Sequence, residues 1–331
     1  MPTTTTTVAA STTPSVSKPY LEALQRDGFV VVRSILTPSE VATLRQAATE
    51  VTLQTRNGKW PYLRSVPKQF PPWPSTPPPS SEGGIWGVQH LMHPEMPHRE
   101  KFINTYFSPK ILSVAEELLG LPASKKEIAS DSATHEEFLV MELFNLLVAP
   151  ENIPFELRWH RDDISESVTP EQELHLLQQK SPEGKQSHAQ YNLSLCPDAS
   201  LIVVPGSHRR VRTDIERAAD PYEATLPNQL IVHLEPGDAV FYDSNILHRG
   251  IYQPKVEGGE EIRLTLHGSL GLKDRNGNSD KVRATAVLQH GIGFWIDRED
   301  ASLGAGERAE KMRANLISLG RGENVGYSLE G

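Results

Sequence analysis

The chain has 331 residues, enough for one large domain or two small ones, and its 37% hydrophobic and 23% charged residues fit a soluble globular protein with long loops. A net charge of −9 argues against a nucleic-acid phosphate backbone as partner. The single cysteine, Cys196, excludes an intrachain disulfide and any cysteine-built metal site, and it suits a reducing compartment, so the cytoplasm is the expected location.

Residues 1–17, MPTTTTTVAASTTPSVS, are rich in Ser and Thr and have neither a long apolar core nor an arginine. They read as a disordered N-terminus ending at residue 18 rather than as a targeting signal. No apolar run reaches the roughly 18 residues a membrane span needs. From residue 19 onward a single domain is expected. GFVVVRSIL (28–36) predicts a strand, and Thr37, Pro38 and Glu40 then form a capping box with proline at the first helical position. A second helix is predicted from about Pro109 to Leu119, capped by Ser108 and stopped by Gly120.

Between these helices, residues 60–86 carry prolines at 61, 67, 71, 72, 74, 77, 78 and 79, which oppose helix and central strand alike. Trp60, Tyr62, Phe70, Trp73 and Trp86 make the segment too aromatic for a solvated linker. It reads as a loop stapled to the core by its rings, and as a wall or lid over an apolar substrate. From 137 to about 272 the pattern changes to short strands separated by Pro-Gly, Pro-Asp and Gly-Asp turns, the signature of a sandwich or barrel. The polar stretch 166–189 reads as an insertion between strands, and 299–319 as a C-terminal helical extension.

Within the strand region, RWHRDDI (158–164) offers His160 and Asp162 at i, i+2 spacing, which places both on one face of an extended strand. His248, expected at the far end of the strand in PGDAVFYDSNILH, is the third candidate. Two imidazoles and one carboxylate on one face of an octahedron leave positions open for chemistry. The set suits Fe(II) and is also compatible with Zn, Co, Mn or Ni. Further on, Arg263, Thr265 and His267 alternate onto one face of a predicted strand. An inward arginine needs an anion, and its planar fork matches a carboxylate. A molecule that chelates the metal at one end and carries a carboxylate at the other, as 2-oxoglutarate does, would satisfy both groups. Asn145 and Asn192, inside strand patterns, are candidates to touch such a cosubstrate or to serve the core. Asp163 is expected to face away from His160, solvated or paired with Arg158 or Arg161. His208 reads as a structural histidine and His267 as lining the pocket or filling the core. His90, His93 and His98 belong to a loop from which Gln89 or His90 reaches toward a substrate. Lys125, Lys126, Arg209, Arg210 and Arg212 are the basic residues available for a CoA nucleotide, although nothing clusters them.

These pieces resemble the phytanoyl-CoA dioxygenase family of Fe(II)- and 2-oxoglutarate-dependent oxygenases. The similarity runs through DGFVVVRSILTPSEVATLR, FSPKILSVAEELLG, WHRDD, SLIVVPGSH and PGDAVFYDSNILHRG, and covers most of residues 20–272. It implies a mainly β fold with flanking helices around a double-stranded β-helix core, jelly-roll or cupin-like. It implies iron bound by His160, Asp162 and His248, and the 2-oxoglutarate carboxylate held by Arg263 with Thr265. Oxygen would then oxidise a C–H bond of a small molecule, with release of succinate and carbon dioxide. The compact turn CPDAS (196–200) departs from the longer acidic turn usual in that family. Two rival readings give the fold other work. One is a non-catalytic, metal-retaining binding or sensor protein. The other is a zinc hydrolase or isomerase, which leaves Arg263 without a task.

Overall fold

The structure, a computed structural model, describes residues 18–121, 138–180, 186–254, 263–273 and 279–320. Residues 1–17, Lys125 and Lys126 lie outside them. The order is α1 (Pro19–Asp27), β1 (Phe29–Val32), α2 (Pro38–Arg56), β2 (Leu63–Ser65), β3 (Ile85–Val88), α3 (Arg99–Tyr106), α4 (Pro109–Leu118) and β4 (Leu139–Val148). There follow β5 (Phe155–Glu156), α5 (Pro170–Lys180), β6 (His188–Ser194), β7 (Leu201–Val203), α6 (Asp214–Ala218), β8 (Leu230–Ile231) and β9 (Ala239–Tyr242). The described chain ends with β10 (His248–Tyr252), β11 (Leu264–Leu272), α7 (Ser279–Gln289) and α8 (Glu307–Leu319).

The strands form two antiparallel sheets. Seven run in the order β1-β9-β6-β11-β4-β3-β2, and four in the order β5-β10-β7-β8. This is the jelly-roll arrangement expected of the sequence, with both sheets open rather than closed into a barrel. Non-consecutive neighbours such as β9 beside β6 and β11 beside β4 are what bring distant residues to one cavity. The helices α1, α2 and α4 supply Leu24, Val41, Leu44, Ala48, Ile111 and Leu112 to a large apolar core against the longer sheet. Each buried aliphatic side chain there contributes roughly 1.5–3 kcal/mol.

The predicted caps are present: Thr37 and Glu40 close their capping box and Ser108 caps α4. Gly28 ends α1 in the left-handed region, at φ 82, and a Cβ there would lie 2.5 Å from His208 Nδ1. Two expectations change. The proline-rich segment is not loop throughout, because its proline-free ends pair as β2 and β3, with β3 lying between β4 and β2. The polar stretch after Asp163 contains α5, whose inner face carries the buried carboxylate Glu173 beside Leu177.

Candidate metal centre and its cavity

His160 and His248 meet as an isolated antiparallel bridge, with N–H···O bonds of 2.9 and 3.1 Å in the two directions. His248 opens β10 after the 243–247 turn; it does not end β9 as the sequence reading had it. The turn's Ser244 carbonyl accepts from the Asp162 amide at 2.8 Å, which fixes the third residue beside the pair. The two imidazole rings are 4.3 Å apart, and Asp162 Oδ1 lies 3.5 Å from His160 Nε2 and 3.7 Å from His248 Nε2. One ligand atom from each residue falls within 4.8 Å of the others, a spacing that can hold a metal ion.

The surrounding hydrogen bonds aim these atoms. His160 Nδ1 donates to the Arg158 carbonyl at 2.7 Å and His248 Nδ1 to the Ile246 carbonyl at 2.9 Å. A carbonyl only accepts, so each Nδ1 carries the proton and each Nε2 keeps its lone pair for a metal. Gln190 Nε2 donates to Asp162 Oδ2 at 2.8 Å and leaves Oδ1 toward the imidazoles. Desolvation alone would raise the Asp162 carboxyl, but the neighbouring His248, His160 and Gln190 hold it well below the usual carboxylate range. Burial pushes His248 down to about 4. At neutral pH His248 is therefore a neutral imidazole beside a carboxylate, and two imidazoles with one carboxylate are a donor set that suits Fe(II).

Backbone alternation sends Arg161 and Arg249 to the other side, whereas Asp163, expected to face away, joins the cavity lining. Arg161, between His160 and Asp162, is buried; its Nε donates to Glu173 Oε1 at 2.9 Å and its other nitrogens to the Ser207, Arg210 and Asn245 carbonyls. Arg212 and Arg217 bind the same Glu173 carboxylate. Arg249, next to His248, bonds the Tyr222 and Glu223 carbonyls, pairs with Glu156 and lies 5.7 Å over the Trp159 ring. Asp163 does not pair with Arg158 or Arg161 as expected. It accepts from Ser244 Oγ at 2.6 Å, because Glu166 and Glu173 take the two arginines.

A cavity of about 260 Å³ opens in front of His160, Asp162 and His248. Its lining includes Arg263, Asn192, His267, Ser269 and Tyr252, and also Arg64, Trp73, Trp86, Leu143 and Leu147, with Tyr252 stacked on Trp86. Arg263 lies 4.4 Å over the Tyr252 ring, and its Nε donates to Asp198 Oδ2 at 3.1 Å. Thr265 Oγ1 donates to the same oxygen at 2.5 Å. The carboxylate that meets this pair is thus the chain's own, delivered by the compact CPDAS turn. Arg263 Nη1 is left buried without a hydrogen-bond partner. The residues fit a dicarboxylate cosubstrate at that nitrogen, with Asp198 holding the fork in place. Thr265 is fully buried and does not line the cavity.

Asn192 is in the lining and bonds His267 Nδ1 at 2.9 Å. Asn145 is not; its Oδ1 accepts from the His90 amide at 3.0 Å, so the turn after β3 covers it. Gln89 and His90 likewise stay outside the lining, His90 packing against Tyr62, Phe294 and Trp295. His98 pairs with Glu50, and His208 bonds the Gln25 carbonyl. Sequence reading missed Gln190, Glu173 and Arg64. Gln190 alternates with Asn192 on β6, a polar pair inside a strand pattern that could have pointed to it.

Solved structures with similar folds include AviO1 from Streptomyces viridochromogenes Tue57, at 18% identity and TM-score 0.48, over 78% of this chain and 96% of that one. EctD from S. alaskensis with 2-oxoglutarate and 5-hydroxyectoine matches at 17% identity and TM-score 0.49, over 80% and 79%. HygX from Streptomyces hygroscopicus with nickel and 2-oxoglutarate matches at 15% and 0.48, over 78% and 88%. None of the curated protein sequences matches the chain. No helix among the described residues is long and apolar enough to cross a membrane. The description Phytanoyl-CoA dioxygenase (PhyH) matches residues 24–251, a span that holds all three candidate ligands. The chain belongs to the phytanoyl-CoA dioxygenase family of non-haem iron, 2-oxoglutarate-dependent enzymes.

Proposed function

We propose that the protein oxidises a C–H bond of a small molecule with an apolar body, hydroxylation being the default outcome. The observation that carries this reading is the convergence of His160, Asp162 and His248 in front of a cavity that also holds the orphaned Arg263 Nη1. His160 and His248 bind iron through Nε2 and Asp162 through Oδ1. Arg263 takes the remote carboxylate of 2-oxoglutarate, steadied by Asp198, while Thr265 supports Asp198 rather than the cosubstrate. Iron and 2-oxoglutarate, when bound, activate oxygen for C–H oxidation and release succinate and carbon dioxide. The chain's own share is to keep both imidazoles in the metal-binding tautomer, to hold the Asp162 carboxylate through Gln190, and to offer Leu143, Leu147, Trp73 and Trp86 as cavity lining to the substrate. The lone cysteine fits work in a reducing cytoplasm.

Anaerobic titration with Fe(II) and 2-oxoglutarate tests this, read by the visible charge-transfer band of the chelate and then by succinate formation in air. The wild type should give both, and Asp162→Ala neither. Arg263→Gln should bind iron but need about ten- to hundredfold more 2-oxoglutarate, the cost of one or two charge-assisted hydrogen bonds. A wild type that binds metal but shows no chelate band and forms no succinate would leave the non-catalytic binding protein as the reading.

A further inference from the structure

The cavity contains a second arginine that the chemistry above does not use. Arg64, on β2, stands opposite Gly87 of β3, and a Cβ at Gly87 would come within 3.0 Å of Arg64 Cδ. Glycine there leaves the space through which the arginine stem crosses β3. The guanidinium then lies 5.0 Å over the Trp86 ring and 5.4 Å over the Trp73 ring. Both indoles are clamped by one acceptor, the Lys68 carbonyl, at 3.0 Å from Trp86 and 3.1 Å from Trp73. The proline-rich segment thus builds a fixed aromatic cradle for one cation.

What the cradle lacks is an anion. Arg64 Nε is buried without a hydrogen-bond partner, and no carboxylate among the described residues forms an ion pair with the group. The cavity's other two arginines each have a carboxylate of the chain as partner, Arg263 that of Asp198 and Arg283 that of Glu142. Asp162 acts on Arg64 from beyond ion-pair distance, and its charge belongs to the metal position. Ring faces weakly offset a partly desolvated cation, by roughly 0.5–2 kcal/mol, which does not replace a carboxylate. Burial accordingly pushes the Arg64 guanidinium down from the ordinary arginine range.

We propose that Arg64 is the receptor for an anionic group, a carboxylate or its equivalent, on the oxidised substrate. The inference rests on the oxygenase reading for its site and narrows the substrate to an organic acid with an apolar body. The anion meets the guanidinium where it faces the cavity, while the apolar part runs past Leu143 and Leu147 toward the metal position. The neutral amide of the same acid lacks the charge that the uncompensated guanidinium requires.

The test uses the full chain with Fe(II) and saturating 2-oxoglutarate under anaerobic conditions, so that Arg263 is occupied. Octanoate and octanamide, with benzoate and benzamide as a second pair, are titrated against the fluorescence of the tryptophans flanking Arg64. At least one acid should bind about tenfold or more tightly than its amide. Arg64→Met should erase that preference, and Arg64→Lys should keep part of it. The chelate band of Arg64→Met, with unchanged 2-oxoglutarate affinity, shows that the variant is folded. Equal binding of acid and amide by the wild type overturns the proposal, as does a preference that survives Arg64→Met. Loss of 2-oxoglutarate affinity in Arg64→Met, with the acid preference intact, overturns it too and assigns Arg64 to the cosubstrate. If the wild type forms no chelate band, the oxygenase reading fails by itself, while the comparison of acid with amide still reports on Arg64.

Discussion

The arginines behind the metal position and Arg64 in the cavity in front of it are treated in opposite ways. Behind it, Arg161 is buried against Glu173 and three carbonyls, and Arg249 against Glu156 and two carbonyls. Every one of these contacts is internal to the chain, and each holds a residue adjacent to a candidate ligand. Across the cavity, Arg64 has only ring faces. A buried charge that the chain itself satisfies fixes geometry. A half-buried charge that the chain leaves unsatisfied costs stability, and it persists where a ligand completes it.

The sharpest way to break this contrast is to remove the anion on the satisfied side. Glu173→Gln leaves Arg161, Arg212 and Arg217 around a neutral amide, and the first of these is fully buried. Removing one partner of such a network costs about 3–5 kcal/mol. Denaturant unfolding should show that loss, and iron affinity should fall with it, because Arg161 lies between His160 and Asp162. A cost under about 1 kcal/mol would mean that α5 decorates the fold rather than anchoring the ligand strand.

Legibility in the sequence divides along the same line. The helices α2 and α4 and most strands were readable because caps and alternation are local signals, and His160, Asp162 and His248 because their residue types and strand context are local too. α5 was hidden because its inner face is a carboxylate, Glu173, whose three arginine partners lie elsewhere in the chain. No hydrophobic period marks such a helix. The pairing of Arg263 with Asp198 spans 65 residues, and only the sheet order brings them together. Arg64 was hidden for the converse reason. In LRS between prolines it looks like an ordinary loop arginine, and its meaning depends on Gly87, Trp73 and Trp86 all converging on it.

A second effect, smaller than the first, separates the two sides by pH. Toward the wall, burial pushes His90 down to about 3, and the Arg64 charge adds to that push. On the anchored side, burial would raise Glu173, but the arginines hold it below the usual carboxylate range. A depressed histidine contributes stability that is complete above its unfolded pKa of about 6.5 and is lost as pH falls toward the folded value. Between pH 6.5 and 4 the unfolded chain takes a proton at His90 that the folded chain refuses. His90 alone then costs about 3 kcal/mol by pH 4. Melting temperature should fall steeply across that window. His90→Asn, which tolerates the left-handed backbone at this position (φ 62), should melt lower at neutral pH but lose less on acidification. An equal slope in both proteins would remove His90 from the account.

The smallest expected effect has the opposite sign and bears most directly on the contrast. Arg64→Met replaces a partly desolvated, unpaired cation with an apolar chain of similar length between the Trp73 and Trp86 rings. The loss is the cation–π attraction, roughly 0.5–2 kcal/mol. The gain is relief of the desolvation cost, which for unpaired buried charges is of the same order or larger. Sulfur against an aromatic ring recovers part of the contact. Without ligand, unfolding free energy should therefore be unchanged or raised by about 1 kcal/mol, the reverse of Glu173→Gln. With octanoate present the order should invert, since only the wild type gains stability from binding. A large loss without ligand would show that Arg64 already has its partner inside the fold, and would place it with Arg161 among the structural arginines.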